Sequence, residues 1–378
     1  MKAWQVLRHG GNEVLKRVEI PTPKPGPGEA LIRVEAAGLN HLDLWLRKGV
    51  EGHTFHLPMI PGGDITGVIE EMGVGASRAS GGAGAATAGH TSNAGVSATA
   101  AHAVSAGAGA AFKVGTPVIV NPGISCGICE ACLTGFDPLC KHYGIFGETR
   151  DGGCADYVVV PFANLVARPA QISAVEGASL SIPYLTAWTM LTRKAQLRPG
   201  ETILIHAGGS GVSVAAIQMA KLLGATVITT VGTDEKAAKA KRLGADFVIN
   251  YKKGPFREEL KKILISLGKK GCEVVMDHVG ADTFNESIKS LAWGGRLVTC
   301  GATSGGAVKI DLKQVFFKNI SILGSTMGSK GDFIRVVQLV AEGKLKPVID
   351  RTLPMDKLPE AMDALEHRQA FGKVVLEN

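Results

Sequence analysis

The middle of the chain alternates short apolar runs with stretches in which apolar residues recur at helical spacing. The runs that predict parallel strands are Thr202–Ala207, Thr226–Thr230, Asp246–Ile249, Glu273–Asp277, Arg296–Cys300 and Ile320–Leu323. Between the first two, Val212–Leu223 has the period of a helix with one buried face. Repeated strand–helix units of this length predict a doubly wound parallel sheet over residues 169–325.

The residues before and after this region follow a different pattern. Alternating apolar and polar positions, interrupted by Pro and Gly, predict a β-rich, barrel-like domain over residues 1–168, with strands at Ala30–Val34, Pro117–Val120 and Tyr157–Val160. Residues 326–378 contain an amphipathic helix and a final strand, Lys373–Leu376, which we expect to return to the first domain. The fold class predicted for the chain is therefore α/β with two domains.

Residues 76–111 fit neither domain. Of these 36 residues, 15 are Ala, 7 Gly, 5 Ser and 3 Thr, so the segment has too few large apolar groups to offset its ordering entropy. Removing it joins residues 68–75 to residues 112–115 as a plain strand–turn–strand. We therefore predict a disordered insertion in a surface turn.

Composition limits the classes of function. The 378 residues are 45% hydrophobic and 20% charged, and no apolar run approaches the roughly 20 residues of a membrane span. Met1–Val6 reads as a strand and not as an export leader, so a soluble cytoplasmic protein is the expectation. The net charge of +7 comes from Lys and Arg spread along the chain, which suits an anionic small molecule better than nucleic acid.

Four of the seven cysteines crowd into one short segment. Cys126, Cys129, Cys132 and Cys140 have the spacing C-x2-C-x2-C-x7-C, which lets the thiolates converge on one tetrahedral ion. Four sulfurs fill the coordination shell of zinc, so we predict one structural Zn²⁺ with no open position for substrate. A redox pair or free thiols are the alternatives, but four regularly spaced cysteines favour zinc.

A turn rich in Gly and Ser follows the strand that begins at Thr202. The second and third positions of a strict G-x-G-x-x-G string would be Ser210 and Ser213, so the string is incomplete. Small residues still let the backbone turn at Gly208, approach a pyrophosphate at Ser210 and Gly211, and present free amides from Val212 at the helix start. Between an apolar strand and a helix, this loop predicts a dinucleotide-binding site.

The end of the next strand bears on the choice of dinucleotide. An NAD site places a carboxylate there, but Gly232 and its neighbour carry no acid, and Asp234 falls late. Thr233 and Lys236 are placed to hold a 2′-phosphate beside Gly232, and Tyr251 to lie over the adenine. The sequence thus favours NADP(H), while Asp234 keeps NAD(H) open.

With the cysteine segment ahead of this nucleotide-binding unit, the chain resembles the medium-chain dehydrogenase/reductase superfamily over nearly everything except residues 76–111. The supporting strings are Ala37–Asp43, Pro61–Asp64, Leu185–Trp188 and Phe371–Val375. The resemblance implies a GroES-like catalytic domain and a Rossmann domain, with a small-molecule substrate and the nicotinamide meeting between them. It also implies a homodimer or homotetramer that joins Rossmann sheets edge to edge.

The chain departs from the zinc alcohol dehydrogenases of that superfamily at the catalytic metal. The positions that match the family's cysteine, its His-Glu pair and its last ligand are Asn40, Gly63, Asp64 and approximately Pro183. One carboxylate cannot replace three protein ligands, so no catalytic zinc is predicted. Hydride transfer without a metal suits an acceptor that delocalises its own charge, such as a quinone or an α,β-unsaturated carbonyl.

Roles follow for five residues, each beside a simpler alternative. Asn40 is predicted to donate to the substrate oxygen or the ribose and Asp43 to orient it, although both residue types also cap helices. Asp64 is predicted to relay a proton or to fix Asn40, and the simpler alternative is a buried, hydrogen-bonded strand residue. The resemblance places Thr186 at the nicotinamide carboxamide and Lys373 at the cofactor, unless both are surface residues. An alcohol or aldehyde dehydrogenase is the alternative activity, and a cofactor-binding RNA protein is favoured least.

Overall fold

The computed structural model describes residues 1–73 and 112–378, so the insertion predicted at residues 76–111 lies outside the described residues. The strands, numbered along the chain, are β1 (Lys2–Val6), β2 (Leu15–Glu19), β3 (Glu29–Gly38), β4 (Asp64–Met72), β5 (Pro117–Val120), β6 (Gly123–Ile124), β7 (Gly144–Ile145), β8 (Tyr157–Pro161), β9 (Leu165–Ala167), β10 (Thr202–Ile205), β11 (Thr226–Val231), β12 (Phe247–Asn250), β13 (Cys272–Met276), β14 (Leu291–Thr299), β15 (Ser321–Gly324), β16 (Ile349–Pro354) and β17 (Lys373–Glu377). The helices are α1 (His41–Lys48), α2 (Glu130–Leu133), α3 (Ala174–Gly177), α4 (Ser181–Trp188), α5 (Gly211–Leu222), α6 (Asp234–Arg242), α7 (Phe256–Ser266), α8 (Phe284–Ser290), α9 (Leu312–Phe317), α10 (Lys330–Ala341) and α11 (Leu358–Glu366). Every helix in the described ranges is too short or too polar to span a membrane.

The nucleotide-binding domain is built on a six-stranded sheet with the order β12-β11-β10-β13-β14-β15. Every neighbouring pair in it is parallel, and all six strands predicted from the apolar runs are present. β14 is longer than predicted, because Leu291 already pairs with Cys272 ahead of an irregular stretch around Gly294. The predicted doubly wound parallel sheet is confirmed.

Neighbouring side chains of β10 pack on opposite faces of this sheet. Ile203 and Ile205 belong to the core formed with α4, α5 and α10, whereas Leu204 belongs to the core formed with α7 and α8. A strand that is buried on both faces needs a continuous apolar run, which is what Thr202–Ala207 showed in the sequence.

The order of the strands creates a crevice. From β10 in the middle, the chain proceeds outward through β11 to β12 and then crosses to β13 on the other side of β10. The connections that follow β10 and β13 therefore leave the sheet in opposite directions, and a crevice opens at the carboxyl ends of these two strands. The turn at Gly208–Ser213 lies in this crevice.

The first domain contains a seven-stranded sheet of order β16-β17-β3-β4-β5-β9, in which β8 also pairs with β3. β4 and β5, which flank the residues outside the description, pair antiparallel with Thr66 opposite Ile119. The C-terminal tail returns to this sheet, where β17 pairs antiparallel with β3 and Val375 lies opposite Gly38. This pairing brings Lys373 close to the end of β3.

Helix α4 joins the two domains. Ser181 Oγ donates to the carbonyl oxygen of Val120 at 3.0 Å, and Tyr184 Oη donates to that of Lys346 at 2.6 Å. The helix also packs against α5 and α10 in the nucleotide-binding domain. α4 is therefore buried over nearly its whole length, and it fixes how the catalytic domain meets the crevice. Of the tail expected to return to the first domain, β16 and β17 do so, whereas α10 stays with the nucleotide-binding core.

Truncating a core leucine of α10 is expected to destabilise the protein. Leu339 is 2% exposed, so Leu339→Ala should lower the free energy of unfolding by about 2–5 kcal/mol through lost burial and a residual cavity. Urea unfolding at equilibrium measures the change. Ile265→Ala on α7, where the side chain is 76% exposed, is the control and should stay within about 0.5 kcal/mol of wild type. Equal losses in the two variants would contradict the assigned core.

Candidate active site and structural metal centre

The four cysteines predicted to bind zinc lie together on a small lobe of the first domain. The Sγ atoms of Cys129 and Cys132 are 3.5 Å apart, those of Cys126 and Cys140 3.5 Å, and those of Cys126 and Cys132 3.9 Å. Sulfurs bound to tetrahedral zinc at about 2.3 Å are separated by about 3.8 Å, so this set fits the ion. Within residues 1–73 and 112–378 it is the single group of three or more Cys, His, Asp or Glu side chains close enough to share a metal.

Contacts with the nucleotide-binding domain hold this lobe in place. The Lys330 backbone N–H donates to the Asp137 carboxylate at 2.7 Å, and Lys330 Nζ donates to Ser125 Oγ at 2.6 Å. The Arg193 guanidinium stands over the Phe136 ring, 5.8 Å from its centre. The lobe therefore links the start of α10 to the catalytic domain, so its role is structural.

The turn after β10 has the geometry of a phosphate-binding loop. Ser210 caps α5, and its Oγ accepts a hydrogen bond from the Ser213 N–H at 3.1 Å. The amides of Gly211 and Val212, in the first turn, have no acceptor inside the helix, and the helix dipole adds partial positive charge there. Gly208 lies against β11, where an added Cβ would be 2.4 Å from Thr229 Oγ1. The loop thus fits the pyrophosphate of a dinucleotide.

Ser213, which replaces the last glycine of the usual string, is part of a hydrogen-bond network. Its hydroxyl donates to the carbonyl oxygen of His206 at 2.7 Å and lies 2.9 Å from His278 Nε2. Because the single hydroxyl proton is used on the carbonyl, Nε2 of His278 must supply the hydrogen of the second bond. Burial lowers the pKa of His278, which keeps the ring neutral.

Two histidines that had no role in the sequence analysis lie just after β10 and β13: His206 follows β10 directly, and His278 is the second residue after β13. His206 Nδ1 lies 3.1 Å from Thr230 Oγ1, and its Nε2 lies 2.9 Å from Ser287 Oγ, which donates to Asp277 at 2.6 Å. Burial lowers the pKa of His206 to about 4, against the opposing effect of the Asp277 charge. The available signal for this cluster was polar residues just after two neighbouring strands, namely His206 after β10 and Asp277 and His278 after β13.

The end of β11 presents no carboxylate to the crevice. Asp234 accepts from Asn250 Nδ2 at 2.9 Å and pairs with Lys253 Nζ at 2.8 Å, so its carboxylate is engaged beside β12. Thr233 caps α6, and its Oγ1 accepts from the Lys236 N–H at 3.2 Å. Thr233 is therefore a helix cap, and because this bond does not use its hydroxyl hydrogen, its contact with a 2′-phosphate stays a prediction.

Lys236 lies against the segment that precedes β17. Its Nζ donates to the carbonyl oxygens of Arg368 and Ala370 at 2.6 and 2.8 Å. The Gly372 N–H donates to the carbonyl oxygen of Gly209 at 2.8 Å. This segment therefore closes over the phosphate-binding turn and places Lys236 and Arg368 at one end of the crevice.

A cavity of about 830 Å³ lies between the two domains. Nine residues predicted for the site line it: Asn40, Thr186, Ser210, Gly211, Val212, Gly232, Lys236, Tyr251 and Lys373. Four others lie outside its lining: Gly208 against β11, Thr233 at its helix cap, and the buried carboxylates Asp43 and Asp64. Arg368, His53 and Glu148 also line the cavity, and the sequence analysis missed them because they come from loops with no local motif.

Three polar side chains meet beside this cavity. The Lys373 ammonium donates to Asp64 Oδ2 and Asn40 Oδ1, both at 2.8 Å, and to the Leu39 carbonyl oxygen. Asn40 Nδ2 donates to Asp64 Oδ2 at 3.1 Å, and the Ile182 N–H donates to Asp64 Oδ1 at 2.6 Å. Asp64 is 0% and Lys373 2% exposed. All three ammonium hydrogens and both carboxylate oxygens are therefore used inside the protein.

Asp43 contacts this cluster on the side away from the cavity. Its carboxylate accepts from the N–H groups of Asn40 and Gly62, both at 2.7 Å, and Asn40 is the residue that precedes α1. Burial raises the pKa of Asp43 to about 6, although the two N–H donors favour the ionised form. Asp43 thus positions Asn40, in line with the orienting role predicted for it, although it is buried and has no surface in the cavity.

Gly63, which matches the zinc-binding histidine of the alcohol dehydrogenases, has no room for a side chain. A Cβ added there would lie 2.7 Å from Ile182 Cδ1 and 2.8 Å from the carbonyl oxygen of Phe146. A ligating side chain at this position would therefore require the backbone to move.

The fold and the phosphate-binding turn are those of a nucleotide-dependent oxidoreductase, and known proteins agree. Residues 211–342 match the family described as zinc-binding dehydrogenase, and residues 26–96 and 86–170 match the alcohol dehydrogenase GroES-like domain. The chain belongs to this zinc-binding dehydrogenase family, within the medium-chain dehydrogenase/reductase superfamily. It is an oxidoreductase that uses NAD(H) or NADP(H).

Similar proteins differ in the activity for which they are named. A crystal structure of an NAD-dependent alcohol dehydrogenase is 42% identical, with a TM-score of 0.86 and 100% of both chains covered. Acryloyl-coenzyme A reductase of Sulfurisphaera tokodaii is 32% identical, with 100% of both chains covered. Quinone oxidoreductase of Pongo abelii is 29% identical, with 100% of this chain and 97% of that protein covered. The similarity to these proteins therefore establishes the class of reaction, but the substrate has to be inferred from the geometry of the site.

Removing zinc is expected to destabilise the protein through the cysteine lobe. A strong chelator should lower the melting temperature of the wild type by about 5–10 °C, because the four thiolates lose the ion that holds them together. Cys140→Ser should melt lower without chelator and should respond little to its addition. Cys300→Ser, which changes a cysteine outside the lobe, is the control and should keep the wild-type response. A wild type whose melting is indifferent to chelator would contradict the site.

Removing the buried ammonium is expected to cost far more than removing an exposed one. Lys373→Met leaves the Asp64 charge unpaired in the interior, so the free energy of unfolding should fall by about 3–5 kcal/mol. Adding Asp64→Asn should restore part of that loss, which a double-mutant cycle in urea measures. Lys221→Met breaks the half-exposed pair with Asp246 and should cost at most about 1 kcal/mol. Independent, additive effects at 64 and 373 would show that the pair is not coupled.

Proposed function

We propose that the chain uses NADPH to reduce quinones or α,β-unsaturated carbonyl compounds, by hydride transfer without a catalytic zinc. The observation that carries the proposal is the cluster of Asn40, Asp64 and Lys373. Asn40 and Asp64, which the resemblance matches to metal ligands of the zinc alcohol dehydrogenases, are both hydrogen-bonded to the Lys373 ammonium. The relatives named acryloyl-coenzyme A reductase and quinone oxidoreductase support acceptors of this kind.

A zinc ion at this place would need ligands that the chain does not offer. Catalytic zinc takes three protein ligands from among Cys, His, Asp and Glu. Of the four matching positions, Asn40, Gly63 and Pro183 supply none of these, and Asp64 has both oxygens engaged. A metal bound to Asp64 would also have to displace the Lys373 ammonium from its buried position. The donor set therefore favours chemistry without a metal at this place.

The acceptor must then carry its own developing charge. NADPH supplies a hydride when bound, and in a quinone or an enone the resulting negative charge spreads from carbon to oxygen. Asn40 lines the cavity with its amide held at both ends, because Oδ1 accepts from Lys373 and Nδ2 donates to Asp64. A donor that is fixed in advance stabilises an oxyanion without reorganising. Asn40 is therefore the group assigned to the substrate oxygen, and Asp64 and Lys373 position it.

The choice of NADPH over NADH rests on the end of β11. Lys236 and Arg368 line the crevice there, while the Asp234 carboxylate is engaged with Asn250 and Lys253. A 2′-phosphate at this place would meet two cations, and the Asp234 carboxylate, which does not line the crevice, is paired with Lys253. The similarity to a solved NAD-dependent alcohol dehydrogenase favours NADH instead, so the activity has to be measured with both nucleotides.

Alcohol or aldehyde oxidation is the second candidate, because the chain is 42% identical to an NAD-dependent alcohol dehydrogenase. That reaction develops charge on a single oxygen, which zinc normally stabilises as a Lewis acid. It would require this chain to recruit a metal to Asp64 or to work with the Asn40 amide alone.

A second copy of the chain is part of the proposal. β15 is an edge strand of the six-stranded sheet. Trp293, Phe316 and Phe317, on β14 and α9 in the same domain, are 73%, 59% and 62% exposed. An open edge with exposed aromatic residues nearby suits pairing of two sheets in a homodimer or in half of a homotetramer.

The proposed activity is tested with acceptors that differ by one double bond. The purified chain is assayed with NADPH and with NADH against 2-cyclohexenone, cyclohexanone and 1,4-naphthoquinone, and in reverse with cyclohexanol. We expect kcat/KM with NADPH to be at least about 100-fold higher for the enone or the quinone than for the saturated ketone, because only the former delocalise the charge. Preferred oxidation of the alcohol with NAD⁺ would contradict the proposal and support the second candidate.

A further inference from the structure

The cavity contains a pair of ionisable residues that the reaction described so far does not use. Glu148 and His53 line it beside Phe55 and Ile145. Glu148 Oε1 lies 3.4 Å from His53 Nε2. The neighbouring side chains are aromatic and aliphatic, and a carboxyl group is costly to place among them. Such a carboxyl group is therefore a candidate for a chemical role.

The two partners differ in their access to water. The Glu148 side chain is 16% exposed and that of His53 is 45% exposed. The Phe55 ring packs edge-on against the His53 ring, with 4.5 Å between ring centres, and restrains its orientation. An enclosed carboxyl group is thus in contact with an imidazole that reaches solvent, which is the arrangement of a proton path.

We propose that Glu148 is the general acid that protonates the α-carbon of the substrate, and that His53 returns the proton from solvent. The inference rests on the proposed function, since it concerns reduction of an activated double bond. Hydride forms the new C–H bond at the β-carbon, and the electron pair of the double bond moves toward the carbonyl to give an enolate. The enolate α-carbon then takes the proton of the Glu148 carboxyl. His53, protonated by water, restores that proton, so each turnover consumes one NADPH and one proton.

A quinone makes no such demand on the protein. Hydride transfer to a quinone gives a hydroquinone anion, whose one added proton goes to oxygen, and oxygen acids exchange protons with water rapidly. Protonation of carbon is intrinsically slower and gains more from a positioned acid. Glu148 should therefore matter for enones and be nearly irrelevant for quinones, even though both acceptors take the same hydride.

The charges around Glu148 allow it to hold a proton. Burial raises the pKa of its carboxyl, and the charge of His53 acts in the opposite direction. Arg150 and Asp151, which follow in the chain, are engaged with other residues, and desolvation raises the pKa of the partly buried Tyr143. Within the described part of the chain, His53 is the sole basic side chain whose nitrogen lies within 4.0 Å of this carboxylate.

The test compares one variant on two acceptors. Glu148→Gln should lower kcat for 2-cyclohexenone by about 100-fold or more, while kcat for 1,4-naphthoquinone should change by less than about threefold. Wild-type kcat for the enone should fall as the pH rises through the pKa of Glu148, because the acid form is lost. The Glu148→Gln variant should lack this decrease.

Two further variants test the roles of the acid and of its partner. Glu148→Asp should retain part of the enone activity, and His53→Gln should give an intermediate loss that added imidazole relieves. Glu258→Gln, on the exposed side of α7, is the matched control, and it should keep the wild-type kcat for both acceptors.

The outcomes separate this inference from the proposed function. NADPH affinity and melting temperature are measured on Glu148→Gln first, and both should match wild type. If the variant loses enone and quinone activity equally, or loses neither, Glu148 is not the acid. If wild type reduces neither acceptor with NADPH, the proposed function itself fails, and the inference fails with it.

Discussion

The centre of the molecule depends on one interaction, the buried ion pair between Lys373 and Asp64. Taking both charges out of water is costly, and the cost is offset only where every remaining donor and acceptor is satisfied, as it is here. The pair joins β17 to the start of β4 and, through the Ile182 amide, to α4. The stem of Lys373 also packs on the phosphate-binding turn, where a Cβ at Gly211 would lie 3.1 Å from its Cδ. One contact therefore aligns the catalytic sheet, the connecting helix and the nucleotide loop.

The proposed chemistry without a catalytic metal rests on the same pair. A lysine ammonium offers positive charge and three hydrogen bonds, but it has no vacant orbital with which to polarise a carbonyl as zinc does. The chain keeps its four-cysteine lobe as a separate structural element that docks on α10 through Lys330 and Asp137. In the proposed mechanism, the cysteine lobe contributes stability, and the cluster around Asn40 serves the reduction of acceptors that delocalise charge.

Much of the fold was predictable because its signals are local. Apolar runs marked all six strands of the parallel sheet, and the spacing of Cys126–Cys140 marked the metal lobe. The burial of Asp43 and the capping role of Thr233 were not predictable, since both depend on which backbone N–H groups the tertiary structure presents. Glu148 and His53 lie far apart in sequence and meet only across the cavity wall, so no local pattern identifies them. The strands and the metal lobe could be predicted from the sequence, whereas the hydrogen-bond partners of the polar residues could not.

The central claim is that an ion pair stands where related dehydrogenases hold a second metal. The most direct measurement is zinc per chain by elemental analysis, on protein purified without chelator or added metal and shown to turn over NADPH with an enone or a quinone. The account predicts one zinc per chain, lost together with stability and bound by the four cysteines. Two zincs per active chain, with activity falling as the second is removed, would contradict it.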